Sequence, residues 1–371
     1  MGKSTRERSE KPAMNKIDAS ERAGITTLGI DVGDRTSRYA GVDAQGELIS
    51  EGSVATRESA LHALLSQLGT GTKVVIEVGM HSPWISRSLH QKGFKVTVAN
   101  TRSLKLISGS TRKSDRRDAR VLATIGQSAP QLLDPIEHQS EQVQQDRAVL
   151  RARDGMVRAR ARLITQTRGI VKAIGGRLKR CSADAFAGRA AEQIPANLHP
   201  ALDPVVIEID RLTVQIRAYD QVVEKLAATY PGCGAVAAIK GVGPVTALAF
   251  VLAIGDPHRF PSSRRTGPYF GLTPRQHDSG DSAPQLRITK AGDPFVRRLL
   301  VGSAHYILGP FGPDCDLRRY GLILAARGGK NAKKRAVVAV ARKLAVLMHK
   351  LWVSGIAYDP LFNATRIQAA A

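Results

Sequence analysis

The strongest constraint on how this chain can fold is a pair of long apolar stripes in its middle third. Val143, Leu150, Val157, Ile164 and Val171 stand seven residues apart, and Val149, Met156, Leu163 and Ile170 run beside them. A stripe of that period is continuous only on one long α-helix, where every seventh residue returns to the same face. A second series follows Pro204: Val205, Ile209, Leu212, Ile216, Tyr219, Val223 and Leu226, alternating steps of four and three. Neither stripe can remain in water, so each requires a partner. The two helices pair with each other as an antiparallel hairpin, pair with copies in another subunit, or do both; the plainer alternative is two ordinary core helices. The other faces of the first helix carry Arg147, Arg151, Arg153, Arg158, Arg160, Arg162 and Arg168 with few acids.

Before this spacer the pattern is of short strands. Residues 25–32 read as a buried strand, and 37–43 and 47–53 flank Ala44-Gln45-Gly46, a hairpin turn. Leu61, Leu64, Leu65 and Leu68 recur at helical spacing, with Gly69 or Gly71 as the expected stop. A strand at 74–78, a helix around 84–91 and a strand at 94–99 follow. Three strands and then helix, strand, helix, strand describe a mixed α/β sheet with helical cover, the order in which a ribonuclease H-like fold begins.

Acids occur in this sheet where they are least expected. Asp31, in Gly29-Ile30-Asp31-Val32-Gly33, ends an apolar strand, and Glu77 does the same in Val74-Val75-Ile76-Glu77-Val78. An unpaired charge buried there would cost several kcal/mol, so such acids are solvated, hydrogen-bonded or neutralised by a cation. In Ser114-Asp115-Arg116-Arg117-Asp118, Ser114 reads as an N-cap that places Asp115 and Asp118 on one helical face. Acids in a first turn also simply suit the helix dipole. If the fold gathers all four, their repulsion calls for divalent cations among them, and oxygen-only ligands favour Mg²⁺ or Mn²⁺. Two such ions about 3.5–4 Å apart can clamp the attacking and leaving oxygens of a phosphodiester. Asp-x-Gly after a first strand also opens actin-like ATPases, but those require a second phosphate-binding turn and an adenosine segment, where this chain offers arginine-rich helices.

Charge narrows the partners. The 371 residues carry 55 Lys and Arg against 32 Asp and Glu, a formal net charge of +23. A surface so basic calls for a polyanion, and a plain ribosome-like or chromatin-like binder would satisfy charge alone. Cys181, Cys233 and Cys315 form no metal or disulfide pattern. Residues 1–24 read as a disordered basic tail without a secretory signal, and no apolar run reaches a membrane span's roughly 18 residues. A cytoplasmic, nucleoid-associated protein is the expectation.

The C-terminal third is rich in glycine and arginine. Ala238 to Ala247, with Gly241-Val242-Gly243-Pro244, resembles a helix-hairpin-helix element, whose turn aims backbone N–H groups of Gly241 and Gly243 at a DNA phosphate; a simple helix–turn–helix connection is the alternative. Tyr269 to Gly280 then forms a loop containing Ser279, near His277, Lys290, Arg297 and Arg298. A serine becomes a nucleophile only with a base or positive field beside it, and a loop serine is otherwise a turn former. A helix is expected at 333–352.

Taken together, these motifs resemble the DEDD-type insertion-sequence transposases, the family that includes the Piv-type DNA invertases. The likeness runs from about Ile25 to about Pro360. It rests on Gly29–Gly33, Ile76-Glu77, Ser114–Ala119, Gly241–Pro244, the Tyr269–Pro274 stretch ending in Ser279-Gly280, Ile288–Asp293 and the helix from Ala336 to Leu344. The resemblance implies a RuvC-like domain (25–130), a helical coiled-coil region (131–230), a small mainly α transposase domain (231–355) and a tail (356–371). It implies that Asp31, Glu77, Asp115 and Asp118 are catalytic metal ligands and Ser279 a nucleophile, with Ser282 and Ser303 as weaker matches. Asp278 and Asp281 add unusual negative charge beside Ser279. It further implies a homo-oligomer, dimer or tetramer, in which acids of one subunit and serine of another act together on DNA, with a bridge RNA as guide in part of the family. Arg151, Arg158, Arg162, Lys290, Arg297 and Arg298 are the expected contacts to nucleic-acid backbone. A metal-only RuvC-like nuclease or resolvase, and a non-catalytic nucleic-acid-binding protein, remain the alternatives.

Overall fold

A computed structural model describes residues 17–69, 71–100, 115–277, 279 and 286–363. Ser114, Asp278, Asp281 and Ser282 lie outside the described residues, as do 1–16 and 364–371. The chain forms two compact units that divide between Gln139 and Ser140.

The first unit is built on a five-stranded sheet of order β3-β2-β1-β4-β5, with β1 Thr27–Asp31, β2 Thr36–Val42, β3 Leu48–Ala55, β4 Lys73–Glu77 and β5 Lys95–Ala99. β1, β2 and β3 form an antiparallel meander, whereas β4 and β5 run parallel to β1. The β2–β3 turn is the expected one, with Gly46 at φ 88° and the Asp43 N–H bonded to the Glu47 carbonyl at 3.1 Å.

Helices α1 (Glu58–Leu65) and α2 (Ser82–Gln91) cover one face, packing against Leu28, Ile30, Val74 and Ile76. α1 stops at Leu65, short of the glycines. Leu68 is nevertheless buried, because the following turn folds it back under the helix with its N–H on the Leu65 carbonyl at 2.9 Å. Ile17 is buried too, and Ala19–Arg22 forms a helical turn, so order reaches into the stretch expected to be a tail. Helix α3 (Asp115–Ser128) covers the opposite face, where Val75, Ala99, Leu122 and Ile125 meet.

The second unit opens with a helical hairpin, one of the arrangements that the two apolar stripes left open. α4 (Glu141–Ala173) and α5 (His199–Thr229) pack along each other antiparallel, as the Arg153–Asp220 and Arg160–Thr213 pairs show. α5 starts earlier than the heptads suggested and carries Pro204 inside; proline removes one N–H, a loss a long packed helix tolerates. The seam is not wholly apolar. Arg160, expected on a solvent face, is 8% exposed, and its guanidinium donates to Asp184 (2.5 Å) and Thr213 (3.1 Å).

α6 (Pro244–Ile254) is apolar on every face apart from Thr246 and is buried from Thr246 onward, and so stands at the centre of the C-terminal core. Around it pack α7 (Pro294–Leu308), α8 (Asp316–Ala326) and α9 (Ala332–Ser354), the last stopped by Gly355 at φ 63°. Among the described residues no helix is long and apolar enough to cross a membrane.

Candidate active site and nucleic-acid contacts

Strand pleating decides which acids can meet. Successive side chains alternate between faces, and Leu28 and Ile30 of β1, with Val74 and Ile76 of β4, face α1 and α2. Gly29 and Asp31, and Val75 and Glu77, therefore face α3. β1 and β4 run in parallel register, Ile30 beside Ile76, so Asp31 and Glu77 end neighbouring strands on one face. α3 runs back along β1: Gln127 near its end accepts from the Thr27 hydroxyl at 2.7 Å, and Ala119 and Ala123 lie over Gly29. Four residues of helix advance about 6 Å and two of strand about as far. The first turn of α3, with Asp115 and Asp118, accordingly arrives beside Asp31.

Two glycines permit this approach. A Cβ at Gly29 would stand 2.3 Å from the Ala119 carbonyl oxygen and 2.4 Å from the Ala123 nitrogen. One at Gly126 would stand 2.4 Å from Val75 Cγ2. On the outer side Arg116 and Arg120 of α3 both grip Glu51 of β3, each at 2.5 Å, and hydrogen bonding from Arg120 holds the Glu51 carboxyl below its ordinary range.

The electrostatic outcome is concentrated on Asp31. Its carboxyl is pushed up to about 7, first by burial and then by the charge of Glu77, the charge of Asp115, a hydrogen bond with Glu77 and the charge of Asp118. The other three predicted acids thus all act on Asp31. Asp118 is buried, Asp31 and Glu77 half-buried, and Asp115 exposed. Four carboxylates without nitrogen or sulfur fit Mg²⁺ or Mn²⁺ in kind. Among the described residues, however, no three His, Cys, Asp or Glu side chains close on one point tightly enough to hold an ion as they stand. The two observations agree physically, since like charges repel over several ångströms whereas ligation to Mg²⁺ needs about 2.0–2.1 Å.

Sequence reasoning missed a neighbouring pair. Trp84 Nε1 donates to His81 Nδ1 at 3.1 Å, which leaves His81 Nε2 as donor to Asp34 at 3.3 Å. His81 follows β4 and Asp34 follows β1, so the pair ties together the two loops that leave Glu77 and Asp31. The only signal was position just beyond an acid-ending strand.

In the second unit Ser279 is exposed. It sits beyond two arms joined by Thr289 N to Thr273 O (2.9 Å), Arg275 N to Arg287 O (2.9 Å) and Lys290 N to Gly271 O (3.2 Å). Gly271 (φ 64°) and Gly292 (φ 67°) lock the base, where a Cβ would fall 2.3 Å from Ala291 N and 2.0 Å from Tyr269 O. Ser303, by contrast, is buried within α7.

The expected cationic contacts divide. Arg151 and Arg162 are exposed on α4. Arg158 and Arg298 both pair with Asp154. Arg297 donates to the carbonyls of Phe270 (3.1 Å) and Ala291 (2.7 Å), stapling the base of the Ser279 loop. Lys290 adopts φ 57° in one arm of that loop. Gly241 (φ 95°) closes the turn before α6, and Gly243 caps α6. Together with Lys240 and Arg298 these two glycines border a cavity of about 590 Å³.

Comparison with known proteins bears on both units. Residues 28–175 match the profile of DEDD transposases of the IS110 kind, and residues 228–312 that of the IS116/IS110/IS902 transposase family. The chain is 28% identical over 339 residues to the transposase for insertion sequence element IS1111A of Coxiella burnetii, covering 88% of this chain and 89% of that one. It is 26% identical over 290 residues to the transposase for insertion sequence element IS1328 of Yersinia enterocolitica, covering 76% and 83%. It also resembles the pilin gene-inverting protein of Moraxella bovis, 31% identical over 114 residues, 30% of this chain and 34% of that one. With matching profiles over the acid-bearing sheet and over α6 and α7, the chain belongs to the IS110/IS116 family of insertion-sequence transposases.

Proposed function

We propose that this transposase cuts and rejoins DNA through two chemically distinct parts, a carboxylate metal site on a RuvC-like sheet and a serine nucleophile. The reading rests on the convergence of Glu77, Asp115 and Asp118 on Asp31, whose carboxyl they help push up to about 7. Asp31, Glu77, Asp115 and Asp118 are the residues that would hold Mg²⁺ or Mn²⁺. Bound there, the cation polarises a scissile phosphate and stabilises negative charge on its oxygens. Gly29, Gly126 and Glu51 keep α3 seated so that its two acids stay beside the strand ends.

Ser279 Oγ attacks the phosphorus, forming an O–P bond as the P–O3′ bond breaks. The hydroxyl proton passes to a base, for which His277 in the same exposed loop is the candidate, and the leaving 3′-oxygen takes up a proton. The products are a 5′-phosphoserine link and a free 3′-OH. A 3′-OH of the second DNA then attacks this link, restoring Ser279 and joining the strands. One phosphodiester-type bond is exchanged for another at each step, so no nucleotide triphosphate is consumed. The DNA partners are the element ends and the target, a bridge RNA guides their pairing, and the protein acts as a homo-oligomer, dimer or tetramer, associated with the nucleoid. The exposed Ile207, Val214 and Val222 on α5, apolar and spaced by seven and eight, support assembly.

The test is a trap for covalent protein–DNA adducts, in which protein, element-end DNA, co-purified RNA and Mg²⁺ are quenched in detergent and run on a denaturing gel. An adduct lost in Ser279→Ala and absent in Asp115→Asn is the expected result. Cleavage without adduct, unchanged by Ser279→Ala, would make the protein a metal-only nuclease and remove the serine step.

A further inference from the structure

The C-terminal helices enclose a cleft of about 1240 Å³ that no role assigned above uses. Its floor is the exposed face of α9, one wall is α8, and its rim includes Leu272, Pro274, Arg287 and Ile288 from the arms that carry Ser279. Nine lysines and arginines line it against two carboxylates, Asp316 and Asp359. Both acids are already engaged: Asp316 accepts from the backbone and side-chain nitrogens of Asn363 at 2.8 and 2.9 Å, and Asp359 from Leu361 N at 3.0 Å. Arg335 and Arg342, and likewise Lys343 and Lys350, are seven apart on α9 and form one cationic face.

This cluster differs from most of the α4 arginines that face the rest of the unit. Arg147, Arg153, Arg158 and Arg160 each pair with a carboxylate, Arg158 sharing Asp154 with Arg298, while Arg151 and Arg162 are exposed. Among the described residues, no carboxylate pairs with Lys334, Arg342, Lys343 or Lys350. The Lys343 ammonium instead stands 3.8 Å over the Tyr320 ring and the Lys350 ammonium 5.5 Å over that of Phe362. The walls between them are apolar, with Leu324 and Leu347 among them, and Phe362 is 42% exposed.

We propose that this cleft binds single-stranded DNA, the strand adjoining the phosphate that Ser279 attacks. The inference rests on the reading of Ser279 as the cutting residue, because the serine-bearing arms form the rim of the cleft. Phosphates lie on the α9 cations, and unstacked bases lie on Tyr320, Phe362 and the apolar wall. A duplex fits less well, since its bases are stacked inside and would leave that wall wet. A small anion fits less well too: the cleft exceeds the roughly 300–1,000 Å³ of small-molecule sites, and nine cations call for many phosphates.

The measurement is fluorescence anisotropy with full-length protein, chelator and a labelled oligothymidylate of about fifteen nucleotides, over roughly 50–200 mM salt. Lys343→Ala combined with Lys350→Ala should weaken binding roughly tenfold and lower the log–log salt slope by about 1.4. Arg217→Ala combined with Lys225→Ala removes the same charge from exposed positions on α5 and should do much less. Phe362→Ala should weaken the single strand roughly tenfold and leave duplex binding unchanged. Melting followed by circular dichroism checks that each variant is folded. Equal weakening in the α5 variant would overturn the inference. So would equal loss of duplex binding in Phe362→Ala, or displacement of the oligothymidylate by oligouridylate at far lower concentration. No cleavage is involved, so failure here leaves the adduct result standing, and failure of the adduct test leaves this binding result to be read by itself.

Discussion

At the contact of α3 with the sheet, Gly29 and Gly126 remove the two side chains that would hold helix and strands apart. The distance saved is about one methyl group, which is enough to bring Asp115 and Asp118 into the field of Asp31. Gly29→Ala inserts a Cβ against two backbone atoms of α3, which cannot swing aside as a flexible side chain could. Overpacking of this kind costs about 1–3 kcal/mol. A displaced first turn should also weaken Mn²⁺ binding roughly tenfold, as loss of groups that support metal ligands does. Chemical denaturation and calorimetric titration with Mn²⁺ check both effects; an alanine variant with unchanged stability and affinity would show that the close approach does not matter. Asp31 and Glu77 stood out because each ends an apolar strand, where an unpaired acid is not tolerated; Asp115 and Asp118 stood out by their spacing and the family resemblance, since a first helical turn suits acids. Glu51, His81 and Gln127 were not, since a polar residue on an ordinary surface position carries no such contradiction. Arg160 misled for the opposite reason: helical periodicity placed it among solvated arginines, and only Asp184 and Thr213 show why its guanidinium can be buried.

α4 and α5 use one face of each helix for their mutual seam, with Leu150 and Val171 buried on α4 and Leu202, Ile209, Ile216 and Val223 on α5. A second apolar line remains on the outside of α5: Ile207 is 68% exposed, Val214 54% and Val222 43%. Apolar residues repeated along one exposed helical face are suited to a partner helix. Ile207→Glu combined with Val214→Glu should shift the protein to monomer in analytical ultracentrifugation with its helical circular dichroism retained. An unchanged sedimentation coefficient would mean that the oligomer forms elsewhere. The heptads made both helices readable from sequence, but whether they pair with each other or with another copy stayed open until the contacts between them were seen. The outer line was harder to see, because it is offset from the inner one and broken by Arg211 and Ala218.

For the molecule as a whole, each compact unit carries an imidazole that its surroundings make resistant to protonation, His349 buried and His138 half-buried. Burial lowers His349 below its ordinary value of 6.5; the hydrogen bond to the Pro257 carbonyl opposes this and neighbouring His258 adds to it. Burial, with Arg87 nearby, likewise lowers His138, which meets the Ser82 hydroxyl at 2.9 Å. The unfolded chain takes up these protons near 6.5, before the folded chain does. Stability is therefore full above that value and falls as the pH drops through the lowered folded values. Asp31 acts in the opposite sense over the same range, because its raised carboxyl is protonated in the folded chain first. The histidine effect is therefore read by difference: between about pH 7 and pH 5 the melting temperature should fall less, or rise more, in His349→Gln than in the parent. Equal slopes for parent and variant would exclude this histidine as a source of acid sensitivity.

The sequence by itself determined the elements of the sheet unit, the two long helices and the last helix, though not α7 or α8, because hydrophobic period, glycine and proline placement and helix length are local quantities. It also determined that the partner is a polyanion, since a net charge of +23 does not depend on the fold. Which charges remain available to that partner was decided only in three dimensions. Asp184, Asp220 and Asp293 reach arginines of α4 from distant parts of the chain, whereas among the described residues no carboxylate pairs with Lys334, Arg342, Lys343 or Lys350 of α9. The meeting of the four acids was likewise a tertiary matter: pleat parity, parallel register and two glycines, one on the strand and one on the helix, have to agree before Asp31 acquires its neighbours.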